Sequence, residues 1–270
     1  MADRITLAQC FHDTIARIRD NADWAEATRQ MQAATRLFPA GYRTEQPVIR
    51  QEPATIEVVS DTTLHCAQRL LAEGAARVAV LNFANAYRPG GGVTTGAMAQ
   101  EECLCRSSNL YESLTVPEMK EAYYQRNALT TDDLGTDAVI YTPGALVIKD
   151  DQTVPQPLEE PFTVDVLTCA APDIRGVADV SRETVEAVIV SRARNILEVA
   201  SSQRTDALVL GAFGCGVFRN PPEMVAGAFR RLLLEEGYAA RFARVVFAIK
   251  ANDAANSNLV AFRRVFEAMC

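Results

Sequence analysis

Apolar residues recur at three- and four-residue intervals over positions 5–37, with Leu7, Cys10, Phe11, Ile15 and Ile18 on one stripe. This periodicity predicts two amphipathic helices, broken and recapped at Asn21-Ala22-Asp23. A polar stretch, Thr44-Glu45-Gln46-Pro47, leads to a short strand over 56–59. Asp61-Thr62-Thr63 reads as the N-cap of a helix reaching about residue 75. Residues 76–83 are almost continuously apolar, the pattern of a central strand buried on both faces.

The alternation continues downstream. Helices are predicted over 97–114 and 117–129, and strands over 138–141 and 145–149 on either side of Pro143-Gly144, a turn signal. A strand over 162–169 ends before Ala171-Pro172. A long helix over 181–202 buries Val185, Val188, Ile189, Ile196, Leu197 and Val199. A strand over 206–213, a helix over 221–236, a strand over 244–251 and a helix over 256–269 complete the chain. Strands alternating with helices predict an α/β fold with helices on both faces of a sheet. With neither an internal repeat nor a disordered linker, the expected organisation is a helical extension over 1–50 packed on one domain over 51–270.

Composition narrows the function classes. The 270 residues are 49% hydrophobic and 23% charged, as in ordinary globular proteins. No apolar run is long enough to span a bilayer, and Met1-Ala2-Asp3-Arg4 opens no signal peptide, so a soluble, cytoplasmic protein away from membranes is expected. The net charge of −7, with few Lys among 27 basic residues, disfavours a general nucleic-acid binder. Phosphates would have to be held locally, by backbone N–H groups and a few Arg. The seven cysteines, Cys10, Cys66, Cys103, Cys105, Cys169, Cys215 and Cys270, are odd in number and scattered, which argues for reduced thiols. His12 and His65 are the only histidines, and neither belongs to a metal-ligand pattern or supports a His-dependent triad.

Two glycine-rich loops follow two buried strands, where open α/β sheets bind ligands. The first runs from Asn82 through Asn85 and Gly90-Gly91-Gly92 to Gly96, and the second from Gly211 through Gly214-Cys215-Gly216-Val217-Phe218 to Pro222. Consecutive glycines let backbone N–H groups cradle an anion, and two such cradles suit a diphosphate. Neither a P-loop motif nor a complete dinucleotide fingerprint is present. A short tether beyond the first loop stands Gln100-Glu101-Glu102. Adjacent helical residues point about 100° apart, so one carboxylate is expected to face a substrate and the other to turn to packing, ribose hydroxyls or solvent. The plainer reading of Glu102 is an i,i+4 ion pair with Arg106.

Gly90-Gly91-Gly92, seven intervening residues and Gln100-Glu101-Glu102 resemble the signature of poly(ADP-ribose) glycohydrolases. Leu81-Asn82-Phe83-Ala84-Asn85, the stretch from Leu104 to Tyr111 and the second loop resemble their bacterial, microbial-type branch. The resemblance implies a three-layer α/β/α macrodomain with a mixed central sheet and an N-terminal helical extension. It implies hydrolysis of the ribose–ribose O-glycosidic bond of poly(ADP-ribose), releasing ADP-ribose with neither metal nor cofactor. Carried onto this chain, it makes Glu102 the general acid and base and Glu101 the residue orienting ribose hydroxyls beside Gln100. Asn85 would hold the distal ribose, and Gly90, Gly91 and Gly92 would line the ribose and diphosphate side. Gly214, Cys215, Gly216 and Val217 would offer backbone N–H groups to the diphosphate, with Phe218 on the distal ribose. Asp61 would take the adenine-contacting position, and Tyr87, Tyr123, Tyr124 and Tyr141 are candidates for a ring over adenine. The implied partners are poly(ADP-ribose) and ADP-ribosylated proteins, in DNA-damage or stress responses, for a monomer. The same loops would equally serve a non-hydrolysing ADP-ribose reader, or a hydrolase of ADP-ribose attached to a protein side chain or base.

Overall fold

The computed structural model describes residues 3–130, 134–175, 180–251 and 255–267. Met1 and Ala2, and Met269 and Cys270 at the other end, lie outside them. Helix α1 (Arg4–Asp20) opens under Asp3, whose carboxylate accepts from the Thr6 N–H at 2.8 Å. Asn21 closes it and starts α2 (Ala22–Ala34), its side-chain oxygen accepting from the Asp23 and Trp24 N–H groups. The buried stripe of α1 is Leu7, Phe11, Thr14 and Ile18, with Cys10 and Ile15 at its margin. The helical reading to residue 37 runs too far. Pro39 disfavours helical backbone at Phe38, and strand β1 (Arg36–Phe38) pairs antiparallel with β4 (Val139–Lys149).

The remaining elements are β2 (Thr55–Val59), α3 (Thr63–Ala72), β3 (Val78–Phe83), α4 (Gln100–Ser107) and α5 (Leu110–Leu114). A helix over 117–128 follows: α6 (Pro117–Met119), a π-helical stretch (Lys120–Gln125) and α7 (Arg126–Ala128). After β4 come β5 (Pro157–Cys169), α8 (Arg182–Ser202), β6 (Ala207–Leu210), α9 (Pro222–Arg230), β7 (Arg244–Ala248) and α10 (Ser257–Glu267). The strands form one sheet in the order β1-β4-β5-β3-β6-β7-β2. β4 runs antiparallel to both its neighbours, and the other pairings are parallel. The sheet is therefore mixed, as expected.

Strand alternation builds the layers. On β3, Ala79 and Leu81 face α8, α9 and α10, where Ile189, Ile196, Val225, Phe229 and Phe262 are buried. Val78 and Val80 face the opposite layer, where Leu64 and Leu70 of α3 join Leu104, Leu110 and Tyr123. Phe11 of α1 and Met31 of α2 belong to that same buried cluster, so the N-terminal helices share the core of the helices beside the sheet. Among the described residues no helix is long and apolar enough to cross a membrane.

Two further predicted elements differ in where they break. The helix expected over 97–114 starts at Gln100 and breaks after Ser107. Asn109 causes the break: its N–H donates to the Leu146 carbonyl, and its side chain accepts from the Leu146 N–H and donates to Thr28. Pro143-Gly144 is not a turn between two strands but an irregularity within one long strand, β4. Buried Asp165 on β5 accepts from the Gly144 N–H at 2.9 Å and the Tyr141 hydroxyl at 2.6 Å, which satisfies the donor that leaves the ladder.

Candidate active site

A cavity of about 680 Å³ opens at the carboxyl ends of the parallel strands. Phe83 closes β3, Ala212 follows β6, Ala248 ends β7 and Asp61 follows β2, and all four line it. This is the position at which parallel strands of an open sheet gather loops around a ligand, and the volume suits a nucleotide-sized molecule.

The floor is built by the first loop and α4. Gln100 joins them: its side-chain oxygen accepts from the Phe83 N–H at 2.9 Å, and its amide donates to the Leu81 carbonyl at 2.7 Å and to Thr63. The helix start is thereby fixed to the end of β3. Asn85 folds the loop, its side-chain oxygen accepting from the Tyr87 and Arg88 N–H groups, while its own N–H donates to Glu101 Oε2 at 2.8 Å. Glu102 accepts the Gly92 N–H on Oε1 and the Ala99 N–H on Oε2, each at 2.8 Å. Each oxygen keeps a second lone pair for a ligand.

Gly91 shows why the triplet must be glycine. Its φ is +57°, and a Cβ there would lie 2.4 Å from Glu102 Oε1 and 3.1 Å from Glu101 Oε2. Both carboxylates thus converge on one glycine despite their helical separation, and both line the cavity. The expectation that only one could face a substrate is corrected by this convergence. Gly91 and Gly92 lie against the glutamate carboxyls, and Gly90, Gly91 and Gly92 are not among the residues lining the cavity.

The two glutamates are 2% and 6% exposed, and no ion pair among the described residues engages either. The i,i+4 pair of Glu102 with Arg106 does not form. Arg106 is buried and donates instead to the Ala97 carbonyl and toward Cys103 Sγ. Burial pushes the Glu101 carboxyl up to about 8, opposed by the Asn85 N–H and reinforced by Glu102. Glu101 therefore holds its proton at neutral pH.

The second loop forms the opposite wall. Gly214 (φ +72°) packs against Ala171 and Asn220, and the Asn220 amide ties the loop together by donating to the Gly214 and Pro172 carbonyls. Gly214, Gly216, Val217 and Phe218 line the cavity, and a Cβ at Gly216 would meet nothing within 4 Å. Cys215 is not on the wall; its thiol turns to the Phe213 carbonyl and is pushed up to about 12 by burial. The Phe218 ring carries the Arg175 guanidinium at 5.7 Å, and that guanidinium donates to the Asp173 carboxylate through Nε and Nη2.

Asp61 is where the sequence placed it, but it is not the cap of α3. Thr62 takes the N-cap position, and the capping acceptor is the buried carboxylate of Asp151, bonded to the Leu64 N–H at 2.8 Å and the Thr62 hydroxyl at 2.7 Å. Asp61 accepts from the Thr62 N–H, contacts His65 and faces the cavity. Asp151, Lys250, Asn258 and Met98 also line the cavity and carried no sequence signal. Asp151, Lys250 and Asn258 come from segments without a motif, and Met98 lies in the spacer between the two halves of the Gly-triplet and Gln100-Glu101-Glu102 pattern. Among the described lining residues Lys250 is the one cation, beside Asp61, Glu101, Glu102 and Asp151. An anionic ligand would rely on backbone N–H groups.

Of the tyrosines considered for a ring over the ligand, Tyr123, Tyr124 and Tyr141 are core residues, and Tyr87 is exposed outside the cavity wall. The aromatic rings on the wall are Phe83 and Phe218. Among the described residues no three His, Cys, Asp or Glu side chains gather as metal ligands.

Residues 12–150 match the family model of the microbial-type PARG catalytic domain. The fold matches the crystal structure of poly(ADP-ribose) glycohydrolase from Thermomonospora curvata at 36% identity and a TM-score of 0.87, over 97% of this chain and 100% of that one. The same enzyme bound to the inhibitor ADP-HPD matches at a TM-score of 0.85, with the same identity and coverage. Poly(ADP-ribose) glycohydrolase from Deinococcus radiodurans in complex with ADP-ribose matches at 39% identity and a TM-score of 0.77, over 90% of this chain and 98% of that one. No curated protein matches the chain in sequence.

Proposed function

Because the chain belongs to the microbial-type poly(ADP-ribose) glycohydrolase family, we propose that it is a glycoside hydrolase releasing ADP-ribose from poly(ADP-ribose), with Glu102 as general acid and base. The observation that carries this reading is the convergence of two buried, unpaired carboxyls on Gly91 at the floor of a nucleotide-sized cavity. A reader of ADP-ribose has no use for such a pair.

The chemistry follows from the geometry. The Glu102 carboxyl donates its proton to the departing ribose oxygen as the anomeric C–O bond breaks, leaving an oxocarbenium-like centre. The resulting carboxylate accepts a proton from the water that attacks this centre, which restores the acid. The Gly92 and Ala99 N–H groups hold the carboxylate in place through both steps. A neutral Glu101 adds no negative charge next to the ligand's diphosphate, and its Oε2 can accept from a ribose hydroxyl. The N–H groups around Gly214 and Gly216 receive the diphosphate, Phe218 packs on the distal ribose beside Asn85, and Asp61 meets the adenine. Gly90, Gly91 and Gly92 act through the acids they hold, and Gln100 through its grip on β3.

The reading includes a reaction that needs no metal, a monomer in the cytoplasm, ADP-ribosylated proteins as partners and a place in the response to DNA damage. It treats 1–50 as an extension braced on a catalytic domain over 51–270. The experiment is digestion of purified poly(ADP-ribose) with and without a chelator, with the products resolved by size. Free ADP-ribose in both samples supports the reading. Intact polymer together with tight ADP-ribose binding makes the protein a reader, and release of ADP-ribose only from modified side chains or bases assigns a different linkage.

A further inference from the structure

Directly beneath Glu101 the sheet carries two polar side chains that the proposed chemistry does not use. Asn82 on β3 and Thr168 on β5 are register partners, and both are fully buried. An amide in a central strand costs free energy unless its hydrogen bonds are made. Here they are made incompletely. Asn82 Nδ2 donates to Thr168 Oγ1 at 3.2 Å and reaches Glu101 Oε1 at 3.4 Å, while Asn82 Oδ1 has no partner.

Two backbone groups, the Asn85 N–H at 2.8 Å from Oε2 and the Gly90 N–H, hold the Glu101 carboxyl, and among the described side chains the one reaching its Oε1 is Asn82. An ionised carboxyl offers only acceptors, but a neutral one carries an O–H that needs an acceptor of its own. Asn82 can meet either demand, because a half-turn of its amide exchanges donor and acceptor without moving the side chain. The Thr168 hydroxyl can follow, accepting in one orientation and donating in the other.

Resting on the reading of Glu101 and Glu102 as the chemical centre, we propose that Asn82 is a positioning residue for Glu101, holding it in both protonation states by a half-turn of its amide. Nδ2 bonds the carboxylate and Oδ1 accepts the O–H of the neutral carboxyl. Glu101 then keeps one orientation toward the ribose while its proton comes and goes. The other titratable groups facing it are Glu102 and Cys105 on α4, with Tyr123 and Tyr124 on the helix over 117–128. None is a cation, so no charge substitutes for the amide.

The test uses the full-length chain with Asn82→Asp, Asn82→Leu and Thr168→Val, each checked by thermal unfolding. Polymer hydrolysis is followed from pH 5 to 10 as separate kcat and KM values. Asn82→Asp sets a second carboxyl about 3.4 Å from Glu101. Two carboxyls so close share a proton, and the alkaline fall of kcat/KM should move up by about one pH unit or more. Asn82→Leu can neither donate nor accept, and kcat should fall roughly 10- to 100-fold with KM little changed. Thr168→Val should give a smaller loss of kcat in the same direction. If Asn82→Leu does not fold, the pH profile of Asn82→Asp and the kcat of Thr168→Val decide the matter. Wild-type kcat and an unmoved alkaline limb in the folded variants overturn the positioning role. Absence of hydrolysis in the wild type overturns the reading of the site itself, and is seen before any variant is assayed.

Discussion

Glu101→Gln isolates what burial does to one carboxyl. Glu101 is 2% exposed, and burial lifts it from its ordinary 4.5 to about 8. The unfolded chain releases this proton near 4.5, whereas the folded protein keeps it until about 8. Between these values the folded state binds more protons, so wild-type stability falls as pH rises through the window. The group's stabilising contribution is whole below the lower value and is lost progressively up to the higher one, beyond which the loss levels off. The slope is about 1.4 kcal/mol per pH unit. Gln has no proton to release and lacks this dependence. The stability of the variant relative to wild type should therefore rise by about 3 kcal/mol between pH 5 and pH 7, on the order of 5–10 °C in Tm for a chain of this size. Urea denaturation of both proteins at pH 5, 6, 7, 8 and 9 measures it. A variant-minus-wild-type stability that stays constant or falls between pH 5 and 8 refutes the argument that Glu101 is buried with its proton.

Two further substitutions probe the support of the acids and the cavity wall. Gly91→Ala introduces a Cβ that collides with Glu102 Oε1 at a backbone φ of +57°. It should cost about 1–2 kcal/mol in strain and lower kcat about 100-fold through misplaced acids, as read by denaturation and steady-state hydrolysis. Phe218→Ala removes a ring of the cavity wall and should weaken ADP-ribose binding by roughly 10-fold, equivalent to about 1.4 kcal/mol, in titration calorimetry. Unchanged affinity takes Phe218 out of the binding surface.

Local signals were enough for the layered α/β plan. The apolar run of β3, the Ser181 cap of α8 and the two glycine-rich turns each carry their reason within a few residues. What escaped depends on distant partners. β1 has only three residues and exists through its pairing with β4. The break between α4 and α5 is made by Asn109 bonding Leu146 and Thr28, residues far from it in the chain. Pro143-Gly144 carries a turn signal, yet Asp165 on the neighbouring strand lets β4 continue through it. At the site, the spacing of Gly90-Gly91-Gly92 and Gln100-Glu101-Glu102 singled out residues that the fold brings together at the cavity, but helical geometry alone separated the two acids. Their convergence needed the backbone conformation of Gly91 and the N–H donors of Asn85, Gly92 and Ala99. Asp151, by capping α3 from the loop after β4, released Asp61 to face the cavity, and no pattern within either segment announces that exchange.

Glu102→Gln keeps the size of the side chain and an acceptor oxygen while removing the transferable proton. Titration with ADP-ribose and digestion of poly(ADP-ribose), both in the presence of a chelator, measure binding and chemistry on the same preparation. The account predicts ADP-ribose affinity within a few-fold of wild type and release of ADP-ribose reduced by at least about 100-fold. Hydrolysis at the wild-type rate by a folded, ADP-ribose-binding Glu102→Gln protein would contradict it, because the acid and base of the reaction would then lie elsewhere.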